Sequence, residues 1–343
     1  MVTGAAIRTL DDVRGLLKDI PGADETAAQA AAERELRLTK PEGALGRLEE
    51  LSAWLATWQG RHPPVLESPK TIVFAGSHGV TDRGVSAFPA EVTLQMVANF
   101  EAGGAAVNQL CRTFGAGLAV VPMDLERPTR DFTNEPAMSE TECAEAITAG
   151  MEAVDGNIDV LCLGEMGIGN TTSAAAVCHA LFGGGAALWT GPGTGVEDEA
   201  LENKIQVVAE SKAVHDSDLT DGLEVLRCLG GRELAAIAGA VIAARRERVP
   251  VLLDGYACTA AAAVLEACMS GALDHCVVAH ASAEPGHRLL LEKLGKAPLF
   301  DLGMRLGEAS GAVLALAVLK AAVACHTGMA TFGEAGISGR SSP

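Results

Sequence analysis

Aromatic side chains are scarce in this chain, with 8 Phe, 3 Trp and 1 Tyr among 343 residues. So few rings exclude a platform on which successive single-stranded bases stack. Positive charge is short as well. Lys and Arg number 26 against 44 Asp and Glu, a net charge of −18, and such a surface attracts neither nucleic acid nor an anionic membrane. The longest uncharged stretch, 166–196, is broken by Asn170, a Gly triplet at 183–185 and Pro192. That excludes a membrane-spanning helix there. The first residues, MVTGAAIRTLDDVRGLL, bring acids early and lack the apolar segment of a secretory signal. The 9 cysteines include no Cys-x-x-Cys pair and mostly sit in apolar runs such as Val160-Leu161-Cys162-Leu163. This is the pattern of reduced, buried thiols in a cytoplasmic protein. Metal-ligand spacing of His, Cys and Asp is absent, as are H-E-x-x-H and G-x-S-x-G.

What is present suits a soluble enzyme acting on small molecules. An apolar content of 48% is ample for a core, and 39 glycines supply many turns and close backbone approaches. The length fits one large domain or two modest ones. The first 60 residues read as helix, with Leu45, Leu48, Leu51, Leu55 and Trp58 forming one apolar stripe. The linker-like Gly60-Arg61-His62-Pro63-Pro64 closes this region. Beyond it, short apolar runs at 71–75, 118–123, 160–163, 251–253 and 276–279 alternate with helical stretches at 91–101, 140–154, 199–215, 233–248 and 260–269. Uniformly apolar strands separated by helices predict an α/β fold, a parallel sheet covered on both faces. The last long segment, 308–325, reads as an Ala- and Leu-rich helix, followed by a polar tail at 336–343 expected to be mobile.

Polar and glycine residues collect after the strands. They are Gly76-Ser77-His78-Gly79, Asp124, Gly164-Glu165-Met166-Gly167-Ile168-Gly169-Asn170-Thr171-Thr172, Asp254-Gly255 and His280-Ala281-Ser282-Ala283-Glu284-Pro285-Gly286. Ligands of open α/β sheets bind outside the carboxyl ends of the strands, so these groups point to one shared site. The 164–172 segment is a strand-to-helix turn whose backbone N–H groups can cradle a phosphate. Its spacing is neither a dinucleotide fingerprint nor a P-loop. Gly191-Pro192-Gly193-Thr194-Gly195-Val196 forms a second flexible loop. Lys204 follows on a helix, where a lysine is ordinarily solvated. His78 and His280 suit either a turn-holding hydrogen bond or proton transfer. Met166, Met304 and Leu306 suit a core. Glu308 opens an apolar helix, where a carboxylate either complements the dipole or does chemistry.

Taken together, these blocks resemble the nicotinate-nucleotide:dimethylbenzimidazole phosphoribosyltransferase family. The resemblance is carried by Lys40-Pro41-Glu42-Gly43-Ala44-Leu45-Gly46-Arg47-Leu48, His78-Gly79-Val80, the 164–172 turn, Asn203-Lys204, Leu252-Leu253-Asp254-Gly255, Ser282-Ala283-Glu284 and Met304-Arg305-Leu306-Gly307-Glu308-Ala309-Ser310-Gly311. They run in family order from about residue 40 to 325. The resemblance implies a Rossmann-like parallel sheet flanked by helices over 66–300, a small helical domain from 1–65 and 301–343, and a homodimer. It implies transfer of a 5-phosphoribosyl group from nicotinate mononucleotide to 5,6-dimethylbenzimidazole, giving α-ribazole 5′-phosphate and nicotinate, with Glu308 as general base. Gly167, Gly193, Lys204 and Ser282 match the phosphate end, and Glu165, Asn170 and Asp254 the phosphoribosyl site. Phe88, Met96, Met166 and Leu306 match the benzimidazole pocket. Ser77 and Phe88 depart from the family, which often has Asp and then Ser or Tyr at these positions. The donor's pyridinium leaves as a neutral ring and no pyrophosphate departs, so no metal or other cofactor is expected. Two rival readings are a phosphoribosyltransferase for another azole base and a non-catalytic nucleotide sensor, which would not need Glu308.

Overall fold

The computed structural model describes residues 7–338, and the tail beyond lies outside them. Five apolar runs form one all-parallel sheet: β1 (Pro69–Ala75), β2 (Gly117–Pro122), β3 (Val160–Met166), β4 (Val251–Leu253) and β5 (Cys276–Val278). Their order across the sheet is β2-β1-β3-β4-β5. The fold is α/β, as expected. β3 runs farther than its apolar residues suggest, because Phe74 and Ala75 of β1 pair with Glu165 and Met166. That extension carries a carboxylate to the strand's end.

Side chains alternate across the sheet with the strand period of two. Ile72, Phe74, Leu161, Leu163, Val251 and Leu253 join one core with residues of the helices Glu140–Glu152, Asn170–Phe182, Gly222–Leu229, Arg232–Arg246 and Tyr256–Cys268. Val73, Val160, Cys162 and Leu252 face a second core with the helices Arg47–Gln59, Ala106–Phe114 and Ser310–Gly328. Arg47–Gln59 and Ser310–Gly328, from the two terminal regions, therefore meet on one face of the sheet, while Leu10, Val13 and Leu17 join the core on the other. Ser310–Gly328 is the one helix among the described residues long and apolar enough to cross a membrane. Its Ala312, Val313, Leu316 and Leu319 are instead buried in this second core. All 9 cysteines are free thiols.

Three local differences from the sequence reading have physical causes. The N-terminal region is three helices, Leu10–Lys18, Glu25–Glu35 and Arg47–Gln59, and Leu45 precedes the last of them. The helix expected from 260 begins at Tyr256, straight after Gly255. The last long helix starts at Ser310 and not at 308, because Gly307, Glu308 and Ala309 have φ of 83°, 63° and 61°. Two successive non-glycine residues in the left-handed region are strained, and such strain concentrates at functional sites. Strand order reverses between β1 and β3, which makes a crevice at their carboxyl ends the expected ligand site.

Candidate active site

A cavity of about 620 Å³ opens at the carboxyl side of the sheet. β3 contributes Glu165 and Met166 directly, and the turn after it contributes Gly167 and Asn170. Gly193, Ser282 and Glu308 come from the loops, and Phe88, Met96 and Leu306 complete an apolar wall with Met166. The structure thus brings together every residue the sequence reading assigned, except Lys204 and Asp254, which stand just behind the lining. Phe88 is 53% exposed and Leu306 is 57% exposed, so both stand at the rim and not in a core.

The loop that carries Glu308 is tied to β3 by its own backbone. The Glu308 N–H donates to the Glu165 carbonyl at 3.1 Å. Gly164 makes this approach possible, since a Cβ there would lie 2.1 Å from the Ala309 nitrogen. Burial, with the neighbouring Asp254 carboxylate, pushes the Glu308 carboxyl up to about 7. The Arg305 guanidinium donates to the Gly193 carbonyl at 2.7 Å, and the helix N-terminus begins only at Ser310. Glu165 is buried as well. Desolvation, Asp254 and Glu233 raise it to about 8, while a hydrogen bond from the Asn170 amide opposes the rise. Asp254 spends one oxygen accepting the Ala312 N–H at 2.9 Å, and its other oxygen has no hydrogen-bond partner.

Lys204 is not a solvated helix residue. It is 1% exposed, and its ammonium donates to Thr171 Oγ1 at 2.9 Å. Desolvation lowers it to about 8, and Glu284 partly offsets this. Gly193, at φ 53°, crosses directly over it; a Cβ there would lie 2.6 Å from Lys204 Nζ and 2.5 Å from Thr171 Oγ1. The ammonium and the Thr171 hydroxyl therefore form a compact cluster under the bare backbone of Gly193, whose own N–H is given to Glu284.

Not every strand end contributes. His78 after β1 pairs with Glu233 at 2.7 Å, both side chains fully buried, and does not line the cavity. Ser77 donates to the Leu125 carbonyl at 3.0 Å, so the departure from Asp leaves a turn-holding hydroxyl. Asp124 after β2 also lies outside the cavity and pairs with Arg127. The polar part of the shared site is built from β3 to β5 and their loops, and the connection between β1 and β2 adds Phe88 and Met96 to its apolar wall. Several lining residues carry no role from sequence, among them Thr171, Tyr256, His280, Glu284 and Arg305. Position after β5 points to His280 and Glu284 as members of the shared site without saying what they do.

A parallel sheet with a carboxylate at its carboxyl edge and a glycine, threonine and lysine cluster beside it belongs to a nucleotide-handling transferase. A profile of the phosphoribosyltransferase family matches residues 20–337. The chain is 61% identical over 333 residues to the nicotinate-nucleotide–dimethylbenzimidazole phosphoribosyltransferase of Ruegeria pomeroyi, covering 97% of this chain and 98% of that protein. It is 58% identical over 330 residues to the protein of the same name from Rhizobium rhizogenes, covering 96% and 97%. The crystal structure of CobT from Thermus thermophilus superposes with a TM-score of 0.85 at 41% identity, covering 91% of this chain and 99% of that one. The chain is a phosphoribosyltransferase. It belongs to the nicotinate-nucleotide–dimethylbenzimidazole phosphoribosyltransferase family.

Proposed function

We propose that the protein transfers the 5-phosphoribosyl group of nicotinate mononucleotide to 5,6-dimethylbenzimidazole, with inversion at the anomeric carbon and Glu308 as general base. The observation that carries this reading is Glu308 itself, a buried carboxyl raised to about 7 at the wall of the cavity. At that value it is both ionised enough to accept the azole proton and basic enough to hold it at neutral pH. The donor's leaving ring departs neutral, so one base suffices. Lys204, Thr171, Gly167, Gly193 and Ser282 would take the phosphate, and Glu165, Asn170 and Asp254 the ribose. Met96, Met166, Leu306 and Phe88 would hold the flat apolar base.

Glu165 has a conditional role in this reading. Raised to about 8, it is largely protonated in the empty protein at neutral pH. A cationic pyridinium, and then an oxocarbenium-like transition state, favours its ionised form, which opposes the developing charge. We further propose a cytoplasmic homodimer, with 66–300 as the large domain and 1–65 with 301–343 as the small helical one. Incubation with nicotinate mononucleotide and a panel of benzimidazoles, followed by nicotinate release, tests the reaction. Release only with a base is expected; no release with any base overturns the reading in favour of a sensor.

A further inference from the structure

Glu284 poses a problem that the proposed reaction does not solve. It is a carboxyl group on the wall of the same cavity, 4% exposed, at the N-cap of the helix Pro285–Leu294. One oxygen accepts the Gly193 N–H at 3.0 Å. The other is buried and has no hydrogen-bond partner. It lies against Gly191, where a Cβ would sit 2.2 Å from it. Gly193 is gripped through both of its backbone groups, by Glu284 on the N–H and by Arg305 on the carbonyl. A carboxylate has thus been built into the donor cluster proposed above for a phosphate. Two anions sharing such a site repel strongly, and the usual resolution is that one of them takes up a proton.

We propose that Glu284 receives a proton from solvent when a phosphomonoester enters, so that its free oxygen becomes an O–H donor to a phosphate oxygen. Its other oxygen continues to accept the Gly193 N–H. This rests on the phosphate assignment made above and extends it. The arrangement accounts for the divided partners of the carboxyl, since only a neutral acid is both acceptor and donor. The groups facing it are the Lys204 ammonium, the Arg305 guanidinium and the Tyr256 phenol, with His287 and Arg288 on its own helix. Burial raises the Glu284 carboxyl, while Lys204, Gly193 and Arg305 oppose the rise. The net direction is towards the neutral acid.

The test is the affinity for nicotinate mononucleotide, measured by calorimetry from about pH 6.5 to 7.5. Above the second phosphate ionisation, near pH 6, the ligand's charge is constant. Below about 8, Lys204 keeps most of its charge. Glu165 and Glu308 titrate in the same window, so the Glu284 contribution is read as the difference between wild type and Glu284→Gln; that difference should approach a tenfold weakening of Kd per pH unit, the slope for uptake of one proton. Glu284→Gln is a permanent copy of the protonated acid, its amide oxygen accepting from Gly193 and its N–H₂ donating to phosphate. It should bind at least as tightly and lose this part of the slope, whereas Glu284→Ala, with neither bond, should bind more weakly. A wild-type slope retained in Glu284→Gln, together with binding that still depends on Lys204, overturns this proposal alone. Binding that is indifferent to Lys204→Met overturns the phosphate assignment and this proposal with it.

Discussion

At the scale of the residue, the site is governed by carboxyl groups held away from water. Glu308 and Glu165 are raised to about 7 and about 8, Glu308 by burial and Asp254, Glu165 by these and Glu233 as well. For catalysis, the basic form of Glu308 is the useful one, so kcat/KM should rise with pH through about 7. Glu308→Gln should lose about 10²–10⁴ in rate, the usual contribution of a positioned base, while keeping the KM of the nucleotide. A pH–rate profile of the variant that still rises near neutrality would remove Glu308 from the role. The same shift has a stability consequence. A carboxyl whose folded value exceeds its unfolded one stabilises the fold only while protonated in both states. As pH rises from the ordinary carboxylate range to about 7, the unfolded chain ionises first and stability falls. Glu308→Gln should therefore raise the unfolding free energy at pH 8 by on the order of 2 kcal/mol, discounted for partial relaxation, with no gain at pH 4. Thermal melts at both values check it. For Lys204→Ala, loss of a charge-assisted bond to phosphate should cost about 1.5–3 kcal/mol. This should appear as a higher KM for the mononucleotide with little change in kcat, because the bond persists from ground to transition state.

At the scale of the element, the decisive contact is between the end of β3 and the left-handed turn 307–309. The turn reaches the strand only because Gly164 has no side chain; a methyl there would overlap the Ala309 backbone. Gly164→Ala should cost about 1–3 kcal/mol of stability through overpacking. It should also lower kcat more than it raises the nucleotide KM, since the displaced residue is Glu308 and not the phosphate cluster. Equal damage to kcat and KM in steady-state assays would show that the turn does not position the base independently. Element boundaries also show where sequence was a partial guide. The apolar residues of β3 end at Leu163, yet the strand continues to Met166, because its hydrogen bonds come from β1. The apolar run after Glu308 reads as helix, yet three left-handed residues hold the glutamate outside it. Pairing and strain of that kind leave no mark in hydrophobic periodicity.

At the scale of the molecule, the helices Arg47–Gln59 and Ser310–Gly328, far apart in the chain, close over one face of the sheet. Leu316 is fully buried in the core that joins Leu51 and Leu55 to Val73, Cys162 and Leu252. Leu316→Ala should cost about 2–5 kcal/mol, visible as a lower Tm with the nucleotide KM unchanged below the melt. A KM that moves in proportion to the lost stability would mean that this core also shapes the cavity. From the sequence alone, five apolar strands with helices between them determined a parallel sheet, because only burial on both faces suits strands with no polar alternation. The motif residues likewise identified most of the cavity wall, because residues that follow strands gather at one edge of a parallel sheet. Which strand ends contribute was decided only in three dimensions. β1 lies beside β3, yet His78 after it turns to Glu233, and Asp124 after the edge strand β2 pairs with Arg127. So was the fate of Lys204, Glu165 and Glu308: burial moves all three towards the neutral form, reinforced by other carboxyls for the two glutamates and opposed by Glu284 for Lys204. A pKa is set by every dipole and charge within a few ångströms, and those neighbours lie up to a hundred residues away or more along the chain.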